Sequence, residues 1–142
     1  MTTAAELVQY KGNAVISIAQ DATVFEALQL MSNHNVGALL VMESGRVIGI
    51  LSERDYARKV ILQGRASKST RVGDIMSRAF ISVTPATPAE ECMGIMTEKR
   101  VRHLPVIDAT SLVGLISIGD VVRAIIADRE FTIEQLERYI TS

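Results

Sequence analysis

The sequence has no tryptophan, and aromatic residues make up only 4% of it. Hydrophobic residues nevertheless reach 48%, so the core has to be aliphatic, built from Val, Ile, Leu, Ala and Met. Cys92 is the only cysteine; this excludes an internal disulfide and a cysteine-rich metal site. Charge of one sign is also lacking: 15 basic against 16 acidic residues leave a formal −1. That balance argues against a general binder of nucleic acid or anionic membranes, which shows a basic excess. Apolar runs such as "VGALLVM" fall far below the roughly 20 residues that a spanning helix needs. The opening "MTTAAELVQYKG" has no basic stretch followed by an apolar one, so no secretory signal is expected and the default is a soluble, cytoplasmic protein. The histidines, His34 and His103, have no second ligand at metal spacing, so no metal is expected. There is no Gly-rich phosphate loop ending in Lys-Ser/Thr and no nucleophile with a neighbouring base; these absences predict that the chain is not an enzyme.

What is present is a duplication. The chain's 142 residues suit one domain of ordinary size. Shifted by 65, residues 16–61 align with 81–126 without a gap. Twelve of the 46 pairs are identical, where ordinary composition gives roughly three. Among them are Ile16/Ile81, Val36/Val101, Gly49/Gly114, Ser52/Ser117, Asp55/Asp120 and Arg58/Arg123. The most legible shared stretches are "GILSERD" and "GLISIGD".

Each copy reads as β-α-β-β-α. "VISI" and "FISV" have the β-branched character of strands. Val24, Ala27, Leu28 and Met31 recur at helical spacing, as do Ala89, Cys92, Met93 and Met96. Cys92 takes the place of Ala27 and reads as core filler. Thr87 as N-cap, Pro88 at N1 and Glu90 at N3 mark the start of the second of these helices. "ALLVM" with "RVIGIL", and "HLPVI" with "LVGLI", read as paired strands joined by turns. A last helix opens at Ser52 or Ser117 and runs to about Leu62 or Ala127. The fold class expected is α+β: tandem pseudo-twofold repeats forming two small sheets with flanking helices, packed face to face because "GALLVM" is apolar on both sides. Repeat 1 spans about 15–62, a polar linker about 63–79, and repeat 2 about 80–129, all within one module of residues 1–142. A separate C-terminal helix is expected over about 131–140, with Thr132 as N-cap. Its Ile133, Leu136 and Ile140 share a face that packs either on its own domain or in a dimer.

With these repeats and motifs, including "VRHLPVID", the chain resembles the cystathionine-beta-synthase (CBS) domain family, in the form of a stand-alone pair or Bateman module. The resemblance covers about residues 15–129. It implies a regulatory module in signal transduction that senses energy or redox state through AMP, ADP, ATP, NAD(H) or S-adenosylmethionine, with no catalytic cofactor. It also implies a homodimer of pairs and a regulated protein partner of unknown identity, with no nucleic acid or membrane involved.

The motif chemistry fits a nucleotide. A carboxylate accepts from both ribose hydroxyls by charge-assisted bonds, the role that the resemblance gives to Asp55 and Asp120. A helix start offers donors and positive potential to phosphate, and Ser52 and Ser117 stand there. Arg54 adds a cation where the second copy has Gly119. In the family the ligand lies in the cleft between copies. The resemblance therefore adds Ile81, Val101, Arg102 and His103 to the Asp55 site, and Ile16, Val36, Gly37 and Ala38 to the Asp120 site. On that mapping the Asp55 site is rich in positive charge, while the Asp120 site has space but no charge, so the first should hold the more phosphate-rich ligand. Two plainer readings stand beside these. Ser-x-x-Asp is also a capping box, and His103 is equally readable as a structural histidine. Arg71, near the linker's end, is a further cation within reach of a phosphate. A structural assembly module without ligand and, last, a nucleotide-processing enzyme are the competing functions.

Overall fold

The computed structural model describes residues 1–12 and 15–141. In chain order the elements are α1 (Ala4–Lys11), β1 (Ser17–Ile18), α2 (Val24–His34), β2 (Ala38–Glu43), β3 (Arg46–Ser52), α3 (Glu53–Tyr56), a π-helical turn Ala57–Ile61, α4 (Val72–Ile75), α5 (Ala89–Lys99), β4 (His103–Asp108), β5 (Ser111–Ser117) and α6 (Ile118–Thr141). These group into two compact units. The first holds residues 15–81; the second combines residues 1–12 with 82–141.

The first unit contains a three-stranded sheet in the order β1-β2-β3, parallel between β1 and β2 and antiparallel between β2 and β3. Thr23 starts α2 by accepting the Glu26 N–H on its side chain, one of the four N–H groups that a helix start leaves without a partner. Val24, Ala27 and Met31 form its inner stripe and pack with Leu39, Val41, Leu51 and Val60. Val72, Ile75 and Met76 complete that core, so α4 belongs to the first unit and not to the repeat that follows it. The expected linker is thus only partly surface: Thr70 is buried and its hydroxyl donates to the Ala66 carbonyl. Arg71 donates to the Asp21 carbonyl, which ties it to the opposite end of its own unit's β1–α2 connection.

The second unit repeats the pairing 65 residues on. Ala38↔Ser52 and Val41↔Gly49 in one become His103↔Ser117 and Val106↔Gly114 in the other. The bulge after Val41 recurs after Val106. Asn35 and Arg100, both in the left-handed region, close the equivalent helices α2 and α5. The buried set here is Ala4, Leu7 and Val8 of α1 with Val83, Ala89, Cys92, Met96, Leu104, Val106, Ile116 and Val121.

Three expectations need correction. "FISV" does not form a strand: Val83 makes one parallel bridge to Val106, and the sheet is two-stranded. In the first unit the Leu40 N–H donates to Ile16; its counterpart is Pro105, which has no N–H to donate. Thr87 is not the N-cap of α5. Pro88 occupies that position, aligned with Thr23, and the Thr87 hydroxyl instead accepts the Thr84 N–H. Finally, no separate C-terminal helix exists, because α6 runs unbroken through 24 residues. "ADREFT" contains neither Gly nor Pro to stop it, and the Thr132 hydroxyl donates to the Asp128 carbonyl inside the helix.

Candidate functional site

Both Gly-x-x-Ser-x-x-Asp stretches turn from the end of a strand into a helix. The glycine is set by contact and not by backbone angle. A Cβ at Gly49 would lie 2.8 Å from Met76 Sδ and 3.0 Å from the Ser77 carbonyl oxygen. One at Gly114 would lie 2.7 Å from Val8 Cγ1. The strand thus presses against α4's end in the first unit and against α1 in the second. Just past the serine, the Glu53 N–H donates to Gly37 O (3.0 Å) and the Ile118 N–H donates to Arg102 O (2.8 Å). Each motif is thereby fastened to the start of the neighbouring strand in its own unit.

The carboxylates occupy equivalent places. The Ser52 N–H donates to Asp55 Oδ2 (2.9 Å) while the Asp55 N–H donates to Ser52 Oγ (3.2 Å). The Ser117 N–H donates to Asp120 Oδ2 (2.8 Å) and the Asp120 N–H donates to Ser117 Oγ (3.2 Å). Both stretches are therefore reciprocal capping boxes, with both carboxylates oriented by backbone. Neither is sealed: the Asp55 and Asp120 side chains keep 13% and 12% of their surface exposed.

The remaining partners differ. Asp55 Oδ2 also accepts from Ser52 Oγ at 3.0 Å. Its Oδ1 lies 3.3 Å from Lys59 Nζ and accepts from Ser77 Oγ at 3.4 Å. Asp120 Oδ2 accepts from Lys11 Nζ at 2.9 Å, and its Oδ1 accepts from Arg123 Nη2 at 2.8 Å. Burial pushes the Asp120 carboxyl up. The Ser117 N–H, Lys11 and the Ser117 hydroxyl outweigh it and hold the group below the ordinary carboxylate value. Within the second unit this reverses the expectation that the Asp120 motif is without charge, since two cations lie on its carboxylate.

The other expected residues fall beside these motifs. Val36, Gly37 and Ala38 enter β2 opposite Ser52, and Val101, Arg102 and His103 enter β4 opposite Ser117. Arg54 is exposed on the first turn of α3. At Gly119 an added Cβ would meet only the far end of Arg123 and Ser117 Oγ. Ile16 packs on the first core, and Ile81 is half-buried at the end of the first unit. His103 is held neutral-favouring, below its ordinary value, first by burial and then by Lys11 and Arg102, against the pull of Asp120. Burial likewise pushes the Cys92 thiol up, as suits core filler. Among the described residues no group of His, Cys, Asp and Glu could hold a metal ion, and no helix is long and apolar enough to cross a membrane.

Four contacts escaped sequence reasoning. Lys59 and Arg123 were readable as i+4 and i+3 partners of the motif aspartates. Lys11 and Ser77 were not, because each lies in a segment outside the aligned copies.

Comparison with known proteins identifies the family to which the two repeats belong. The CBS domain family model matches residues 11–61 and again 72–127. The CBS domain-containing protein CBSX3, mitochondrial, of Arabidopsis thaliana is 43% identical over 98% of this chain and 72% of its own length. The structure of a putative signal-transduction protein with CBS domains from Burkholderia ambifaria superimposes with a TM-score of 0.85 at 46% identity, covering 89% of this chain and 96% of that one. The fold is also that of the CBS domain pair of protein MJ0100, solved in complex with 5-methylthioadenosine and S-adenosyl-L-methionine, with a TM-score of 0.80 at 21% identity over 90% and 98% of the two chains. Two matched repeats, each ending in its own Ser-x-x-Asp capping box, make this chain a member of the CBS domain family.

Proposed function

We propose that the chain is a regulatory module that senses adenine nucleotides, with Asp55 and Asp120 each receiving a ribose and the adjoining helix starts and cations receiving phosphate. The observation that supports it most is the state of the two carboxylates. Each is fixed by one backbone N–H, while its other donors are side chains that can turn away. Ribose hydroxyls can replace Ser52 Oγ, Lys59 or Ser77 at Asp55, and Lys11 or Arg123 at Asp120, without disturbing the capping bond. Residues 36–38 and 101–103 border the motifs and contribute backbone groups and, from Arg102, positive charge. The adenosyl ligands of MJ0100's CBS pair are compatible with this reading at the level of fold. A bound ligand is sensed and not processed, and the output passes through a homodimer face or a partner protein.

The test is calorimetric titration of AMP, ATP, NAD and S-adenosylmethionine into the native protein and into Asp55→Asn and Asp120→Asn. Losing a charge-assisted pair of ribose bonds at about 1.4 kcal/mol or more weakens binding at the altered motif by at least about tenfold. A ligand that binds only the folded state also raises the melting midpoint. No heat and no midpoint shift with any of the four at millimolar concentration would overturn the reading in favour of a structural module. Recovery of a chemically altered nucleotide would overturn the sensing role.

A further inference from the structure

Lys11 stands out because it reaches a motif from outside both aligned copies. It is the last residue of α1, and its ammonium bridges two acceptors of the second unit: Asp120 Oδ2 at 2.9 Å and the Leu115 carbonyl at 3.0 Å. Asp120 Oδ2 also accepts the Ser117 N–H, so both acceptor positions of that oxygen are filled. Asp120 Oδ1 accepts from Arg123, which fills one of its two positions. A ribose that donates two hydroxyls to this carboxylate must therefore displace a cation from it. Lys11 is the cation that has to leave: Oδ1 keeps a second acceptor position beside Arg123, whereas Oδ2 can take a hydroxyl only in place of Lys11, because the Ser117 N–H belongs to the helix cap.

The first motif is built differently. There the corresponding contact comes from Ser77, at the end of the segment containing α4, and it is a hydroxyl at 3.4 Å. Displacing a hydroxyl frees no charge. Displacing Lys11 frees an ammonium beside a half-buried histidine and two arginines, Arg102 and Arg123, a cluster of positive charge that favours an arriving anion. A ligand that brings its own phosphate satisfies the released ammonium; a neutral nucleoside does not.

Given that Asp120 takes a ribose, as proposed above, we propose that Lys11 is the specificity-determining residue of the second motif, exchanging Asp120 for the ligand's phosphate and so selecting a nucleoside phosphate over a neutral nucleoside. The exchange makes the N-terminal helix part of the binding machinery. It also reverses the ranking implied by the family resemblance, by giving the second motif the stronger preference for phosphate.

The test compares AMP with adenosine, which share base and ribose and differ in the phosphate. Affinities for both are measured by calorimetry on the native protein, Lys11→Met and Lys11→Arg, and again in an Asp55→Ala background so that the second motif reports alone. Circular dichroism melts confirm that each variant is folded, and a two-site fit in the native background serves if Asp55→Ala is not. One lost ion–phosphate bond predicts that Lys11→Met lowers the AMP-to-adenosine preference about tenfold, while Lys11→Arg keeps most of it. An unchanged ratio overturns the inference, even where both affinities rise together, since Lys11 would then only occlude the carboxylate. Nucleotide binding by the native protein with an unchanged ratio sinks this inference alone. Absence of binding by either compound sinks the nucleotide reading and this inference with it.

Discussion

At the scale of the residue, the two motifs meet a structural demand before any other. Ser52 and Ser117 cap a helix and Asp55 and Asp120 return the cap, so the plain reading of Ser-x-x-Asp is correct, and the proposed ribose contact leaves the capping bonds in place. What the sequence could not display was the charge around Asp120. Arg58 and Arg123 are identical in alignment, yet only Arg123 reaches its aspartate; in the first unit the helix widens into a π turn at Ala57–Ile61 and Lys59 lies on the carboxylate instead. His103 reports on this setting. Its folded value lies below the ordinary 6.5, with burial the leading cause and Lys11 the next. A group whose folded value is depressed in this way binds fewer protons folded than unfolded below 6.5. Its contribution to stability is therefore complete above that pH and declines as pH falls from it toward the folded value. An NMR titration of the His103 ring should give a midpoint below 6.5 that moves up in Lys11→Met, because the repelling ammonium is gone. A midpoint at or above 6.5, or one indifferent to Lys11, contradicts the geometry described for the second unit.

At the scale of the element, strands and helices within the repeats were legible because period and turn chemistry agreed with their packing. β2–β3 and β4–β5 carry the same register and the same bulge, as their alignment demands. The failures have physical causes too. Pro105 removes the donor that would have extended a third strand, and an uninterrupted run of helix-compatible residues fuses the expected tail helix with α6. Less legible still was the placing of the segments that precede each repeat. α4 packs on the unit before it, and α1 packs on β5, more than a hundred residues ahead. No local pattern encodes such a partner; the trace left in sequence is a glycine in mid-strand. Gly114 is there because Val8 needs the space, its Cβ position lying 2.7 Å from Val8 Cγ1. Gly114→Ala should lower unfolding stability by about 1–3 kcal/mol through overpacking, measured by urea denaturation. Val8→Ala in the same chain should recover part of that loss, since residues in contact couple. Strictly additive costs would mean that α1 is not seated on β5 as described.

At the scale of the whole molecule, the longest apolar stripe left uncovered among the described residues is the outer face of α6. Along its 24 residues, about 36 Å at helical rise, Val122, Ile126, Ile133, Leu136 and Ile140 recur at helical spacing and are all exposed. Ile133 is 55% exposed, Leu136 58% and Ile140 79%, more apolar surface than a solitary helix face normally leaves in water. A homodimer in which a second α6 packs antiparallel, centred on Ile133, would cover this face. That register sets Ile126 against the partner's Ile140, and Arg129 against the partner's Glu137. The nearest acid to Arg129 in its own unit is Glu90, at a loose 3.7 Å, so the arginine is free to exchange it. The homodimer implied by the family resemblance would then be held in part by this helix. Light scattering of the native protein should give twice the chain's 15.5 kDa, and Ile133→Glu should shift it toward the monomer, because at the centre of an antiparallel pair the two introduced glutamates face one another. Arg129→Glu should weaken association, and adding Glu137→Arg to the same chain should restore it. Each helix then offers the exchanged pair to the other, whereas the two residues lie too far apart along one helix to interact within it. A monomeric native protein, or a double variant as weak as Arg129→Glu alone, would assign the apolar stripe to a different partner surface.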